Sequence, residues 1–83
     1  MAMPTKAQHD RAYRPIPGLL RELREEAGLT QRDLGERLDR PQSWVHNCEI
    51  ANRRVDLAEF VGWARACGVE PVAAVRRYLR AAP

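Results

Sequence analysis

The sequence predicts an all-α domain of five helices, and three observations carry that expectation. Apolar residues recur three and four apart in successive blocks, the spacing that places them on one helical face. The blocks are framed by helix punctuation: Pro17, Thr30, Asp56 and Pro71 at starts, Gly28 and Gly68 at ends. No segment shows the strict apolar–polar alternation of a strand. A length of 83 residues fits one domain, with no room for a second core.

Residues 1–16 read as a polar, partly ordered N-terminal arm punctuated by Pro4 and Pro15. Thr5 is placed to cap a short helical stretch reaching Tyr13, which Pro15 and Pro17 would end. The domain proper is 17–83. Helix 1 is expected over 17–27, with Pro17 in its first turn, where a missing N–H costs nothing. Leu19, Leu20, Leu23 and Ala27 face inward, and Gly28 closes the helix. Thr30 caps helix 2 (30–38), and Asp33, three residues on, takes the reciprocal place in a capping box. Helix 3 spans 42–50, with Asn52 expected in the left-handed conformation that closes it. Asp56 caps helix 4 (57–67), which turns Leu57, Phe60, Val61, Ala64 and Cys67 inward and stops at Gly68. Pro71 opens helix 5 (71–80), whose apolar positions are Val72, Val75, Tyr78 and Leu79.

Composition excludes several classes. An apolar content of 45% argues against disorder. No apolar run approaches the roughly 20 residues that span a bilayer. The Met1–Pro4 start has no apolar core of a secretory signal, so the expected compartment is the cytoplasm. Cys48 and Cys67 fall on inward faces and read as reduced core thiols, a Cys48–Cys67 disulfide being the alternative. There is no C-x-x-C, and His9 and His46 are not spaced as partners, so neither a metal nor another cofactor is implied. The net charge of +3, with a pI near 9.4, favours a polyanionic partner. Basic and acidic residues are nonetheless mixed evenly along the chain, so a basic patch must be assembled by folding.

The stretch Thr30–Glu49, TQRDLGERLDRPQSWVHNCE, concentrates the functional signal. Leu34 and Leu38 make one inward face; after a polar break, Val45 and Cys48 make another. Gly35 lies between the leucines, where a missing side chain permits close crossing. Two short helices with a tight turn and a polar outer face have the pattern of a helix-turn-helix, which lays its second helix in the major groove of DNA.

From Leu19 to Leu79 the chain resembles the phage repressor and Cro family (XRE type) of helix-turn-helix regulators. The match rests on Gly28-Leu29-Thr30-Gln31 entering helix 2, on Glu49 closing helix 3, and on Ala64, Gly68, Val69 and Pro71 near the end. The resemblance implies a lambda-repressor-like fold, duplex DNA as partner, and a repressor-like homodimer on an inverted-repeat operator. By the same resemblance Gln42 and Ser43 are base-contacting positions, Asn47 matches another, and Gln31 contacts phosphate and braces Gln42. Arg24 and Glu49 match a pair that orients helix 3.

The chemistry of these residues agrees. Gln42 carries the donor and acceptor that grip adenine N6 and N7, and Ser43 can serve several bases. His46 and Asn47 point outward one turn on. Arg53 and Arg54 are candidate phosphate clamps, with Arg32 a further one on helix 2. Helix 5, through Val72, Val75, Tyr78 and Leu79, is the candidate dimer interface; the alternative is that it covers the core. Trp44 reads as packing beside the turn or as a sugar-phosphate contact.

Three departures from the family pattern stand out: Asp39-Arg40-Pro41 in the turn, apolar Ile50 after the helix-3 glutamate, and Ala51 where glycine is usual. They keep a second reading open, a protein-interaction module that has lost DNA binding. A protein partner such as a toxin is compatible with either. Catalysis is not expected: Ser43 and His46 lie three apart, but an exposed helix offers no oxyanion hole.

Overall fold

A computed structural model of the chain describes residues 10–83. Its helices are α1 (Pro15–Glu26), α2 (Gln31–Leu38), α3 (Gln42–Glu49), α4 (Leu57–Ala66) and α5 (Pro71–Ala81), and no strand occurs among the described residues. Thr5 and the stretch it was expected to cap lie mostly outside that range.

Helix α1 starts two residues before the expected position. Asp10 begins a turn, its carboxylate accepting from the backbone N–H groups of Ala12 (3.0 Å) and Tyr13 (3.3 Å). The chain then runs directly into α1, with Pro15 and Pro17 both in the first turn. The expected stop at Pro15 is therefore a start, because the first N–H groups of a helix have no intrahelical partner to lose. Capping boxes begin α2 and α4: Thr30 pairs with Asp33, and Asp56 with Glu59.

Four helices close on one device. Gly28 (φ +73°) and Gly68 (φ +75°) follow α1 and α4 in the left-handed conformation. Behind them Leu29 N–H reaches Arg24 O and Val69 N–H reaches Ala64 O, the long hydrogen bond of a Schellman motif. The same bond runs from Arg40 to Gly35 and from Asn52 to Asn47. At those two ends the left-handed residue is Asp39 (φ 56°) and Ala51 (φ 64°), neither of them glycine. The residue that closes α3 is thus Ala51 and not Asn52.

The core gathers side chains from every helix. Leu20 and Leu23 of α1, Leu34 of α2, Val45 and Cys48 of α3, Trp63 and Ala64 of α4, and Ala74 of α5 are fully buried. Trp63 is the largest of them, and its indole N–H donates to Leu20 O at 2.9 Å. Its burial corrects the expected α4 face, since Leu57, expected inward, is 74% exposed. Ala27, also expected inward, is exposed. Cys48 and Cys67 are buried free thiols with no disulfide between them.

Residues 10–14 pack onto this body. Tyr13 is buried, and its hydroxyl accepts from Val55 N–H at 2.9 Å. Tyr78 of α5 donates its hydroxyl to Ala12 O at 2.8 Å. The start of the described chain is thereby tied both to the α3–α4 loop and to α5.

Candidate nucleic-acid interface

Helices α2 and α3 are held close by Gly35. A Cβ at that position would stand 2.6 Å from Arg40 O and 3.4 Å from Pro41 C, so any side chain would collide with the backbone of the turn. Asp39 supplies the left-handed step and Pro41 the extended residue before α3. With Val45 and Cys48 buried, Gln42, Ser43 and His46 are left exposed on the outer face of α3, and Asn47 is half-buried. The Asn47 side-chain oxygen accepts from Asn52 Nδ2 at 3.4 Å, so it already serves the loop behind the helix.

A continuous hydrogen-bond chain links this face to the interior. The guanidinium of Arg24 forks onto Glu49, Nε to Oε2 at 2.6 Å and Nη2 to Oε1 at 3.0 Å. Its third nitrogen donates to Leu29 O at 2.8 Å. Glu49 is only 3% exposed in its side chain, and the hydrogen bonds to it raise the Arg24 pKa above its ordinary value. Gln31 Nε2 then donates to Glu49 Oε1 at 3.1 Å, and Gln42 Nε2 donates to Gln31 Oε1 at 3.1 Å. His46 Nδ1 lies 3.3 Å from the same Gln31 nitrogen. Gln31 thus braces Gln42, with its amide nitrogen held between Glu49 and His46. Its backbone N–H lies in the first turn of α2. Arg32 beside it is exposed, and both line a shallow recess with Arg24, Thr30 and Gln42.

Arg53 and Arg54, expected as phosphate clamps, both carry acidic partners within the chain. Arg53 forks onto Glu59 at 3.1 and 3.0 Å and lies 5.0 Å from the centre of the Trp44 ring. Arg54 donates to Asp10 at 2.7 Å and stands 4.4 Å over the ring of Tyr13. These contacts hold the Glu59 and Asp10 carboxyls below their usual pKa. Arg40, noted in the sequence only as a departure in the turn and given no role there, lies 4.6 Å over Trp44 and 3.6 Å from Glu59. Its place in the turn directly before α3 was the available signal. Trp44 itself packs on Trp63, ring centres 6.1 Å apart, and its indole N–H is buried without a partner.

On α5 the apolar residues divide. Val75 and Tyr78 pack against the core, whereas Val72 (54%) and Leu79 (62%) are exposed. Val75 and Tyr78 also line an apolar groove with Tyr13, Ile16, Leu57 and Phe60. Among the described residues no helix is long and apolar enough to cross a membrane, and no three His, Cys, Asp or Glu are placed to hold a metal ion.

Residues 18–81 match the family model of a helix-turn-helix domain. The fold superposes on a solved structure of an XRE-family like protein from Pseudomonas syringae pv. tomato str. DC3000 with a TM-score of 0.80. The two are 40% identical over 90% of this chain and 92% of that one. The chain belongs to the XRE-type helix-turn-helix family. No curated protein matches it. As a member of this family it is a DNA-binding domain of the kind found in transcription regulators.

Proposed function

We propose that this chain reads specific sequences in duplex DNA through α3 and acts as a repressor-like homodimer on an inverted repeat. The observation that carries this reading is the hydrogen-bond chain from Arg24 through Glu49 and Gln31 to Gln42. It holds an exposed amide at the start of α3 with one N–H and its carbonyl oxygen free, the pair that matches adenine N6 and N7. Ser43, His46 and Asn47 extend the reading face. Phosphate contact is assigned to the first turn of α2, where the N–H groups of Gln31 and Arg32 lack intrahelical partners, and to the Arg32 side chain. Arg53 and Arg54 join it by exchanging Glu59 and Asp10 for phosphate.

One copy carries too few base-reading side chains for a selective site, and two-fold pairing doubles them. The exposed Val72 and Leu79, continuous with Val75 and Tyr78, support α5 as the face that pairs. Selection of bound duplexes from a random pool tests the whole reading. The expected product is an inverted repeat with half-sites about 34 Å, one helical turn, apart. Sedimentation showing monomer alone at high concentration, with and without that duplex, counts against the dimer.

A second reading, a protein-interaction module on the same fold, is favoured by one feature: Ile50, directly after the reading helix, is an exposed apolar residue (54%) where a phosphate contact would help. Salt separates the two. Binding through phosphates weakens steeply as salt rises because counterions are released, and a module without DNA function binds no duplex at low salt.

A further inference from the structure

Glu49 sits at the root of a hydrogen-bond chain whose direction its charge dictates. As a carboxylate gripped by Arg24 it offers acceptors only, so the atom of Gln31 that faces it must be the amide nitrogen. That nitrogen has two hydrogens. One goes to Glu49 Oε1 at 3.1 Å, and the other faces His46 Nδ1 at 3.3 Å. A hydrogen bond at that contact makes His46 Nδ1 the acceptor and leaves the proton of a neutral imidazole on Nε2. At the far end of the same amide, Gln31 Oε1 takes a hydrogen from Gln42 Nε2 at 3.1 Å. Turning Gln42 over would set two carbonyl oxygens against each other. One nearly buried charge thus orients two exposed side chains of α3.

Resting on the DNA-reading function above, we propose that His46 is a specificity-determining residue locked as its Nε2–H tautomer, and that Gln31 is the positioning residue that locks it. The imidazole then presents a single donor beside the donor–acceptor pair of Gln42. In the major groove a lone donor fits acceptor edges, guanine N7 and O6 foremost, and meets the cytosine amino group donor against donor. An imidazole free to choose its tautomer would accept from cytosine equally well. Gln31 governs sequence choice without touching a base.

Nitrogen NMR of His46 in the full chain reads the tautomer directly. A protonated Nε2 is expected in the wild type, and a mixture in Gln31→Met. Site selection with the wild type, His46→Ala and Gln31→Met reads the consequence. One position in each half-site should lose its preference in His46→Ala. In the wild type that position should carry guanine and disfavour cytosine by at least about fivefold, the effect of an unpaired donor at a desolvated interface. Gln31→Met should narrow that ratio towards unity and blur the position read by Gln42, which loses its brace. An Nδ1–H or mixed tautomer in the wild type, with selection intact, overturns the lock alone. Cytosine preferred at the His46 position, or no position altered by His46→Ala, overturns the role in specificity. A wild type that selects no sequence overturns the DNA reading and this role with it, even where the tautomer is as expected.

Discussion

Arg24 is 9% exposed and places three guanidinium nitrogens on two partners, Glu49 and the carbonyl of Leu29. A guanidinium taken out of water is tolerated because its planar fork is matched nearly atom for atom. Removing one partner leaves the other charge buried and uncompensated, at a cost of about 3–5 kcal/mol. Arg24→Met should therefore lose stability on that scale and weaken DNA binding, since Glu49 would no longer hold Gln31 and, through it, Gln42. Replacing Glu49 by Leu in the same chain should recover much of the stability, because a packed apolar pair often equals a buried ion pair. It should not recover the preference at the positions read by Gln42 and His46, because Gln31 then has no carboxylate to face. A double-mutant cycle on unfolding free energy, measured by denaturant titration, reads the coupling. Additive losses would mean that the pair contributes nothing beyond its two members.

At the scale of the element, α3 stops on an alanine in a conformation that suits glycine. Ala51 has φ 64°, and its Schellman bond from Asn52 N–H to Asn47 O is formed at 2.9 Å. The left-handed region brings Cβ too close to the carbonyl oxygen and costs a non-glycine residue roughly 1 kcal/mol. Ala51→Gly should therefore stabilise the domain by up to about 1 kcal/mol, less the extra freedom glycine gives the unfolded chain. Thermal unfolding checks it, and a lowered midpoint would contradict the strain. The same position explains a limit of the sequence. The starts of α2 and α4 were legible because Thr30 and Asp56 announce themselves chemically, and Gly28 and Gly68 announce two of the ends. Asp39 and Ala51 carry the same backbone geometry with no glycine to mark it, which is why the close of α3 was expected at Asn52. Leu57 and Trp63 show a second limit. Periodicity gives a face, but which end of that face enters the core depends on how α4 lies against α1, where Trp63 finds Leu20 O. The helix-turn-helix itself was readable from spacing. The carboxylates that hold Arg53 and Arg54 were not, because such partners are assembled only by folding; Asp10 is 44 residues from Arg54.

For the molecule as a whole, stability should fall away on both sides of neutrality, for opposite reasons. Asp10, Glu26, Asp33 and Glu59 have carboxyls held below their ordinary pKa, the first two and Glu59 chiefly by arginine partners and Asp33 by the Thr30 cap. Their contribution is present above the unfolded carboxyl range near pH 4 and is lost as pH falls through the lower native values, where the unfolded chain binds more protons. On the alkaline side burial pushes the Cys67 thiol up to about 11, and it also raises the Cys48 thiol and the Tyr13 phenol. An unfolded thiol ionises from about pH 8.5. Between that value and about 11 the unfolded chain has lost a proton that native Cys67 keeps, so stability declines as pH rises. Thermal midpoints across pH 3–10, all as approximate bounds for a reversible scan, should trace a plateau near pH 5–8 with two falling limbs. Cys67→Ala should flatten the alkaline limb and leave the acid limb in place. Native protein at pH 8 should also react with a thiol reagent far more slowly than unfolded protein, because the thiolate is the nucleophile and the core withholds it. An alkaline limb unchanged in Cys67→Ala, together with rapid labelling of the native chain, would mean that Cys67 is open to water in solution. The packing of α4 against the rest of the core would then be looser than the structure has it.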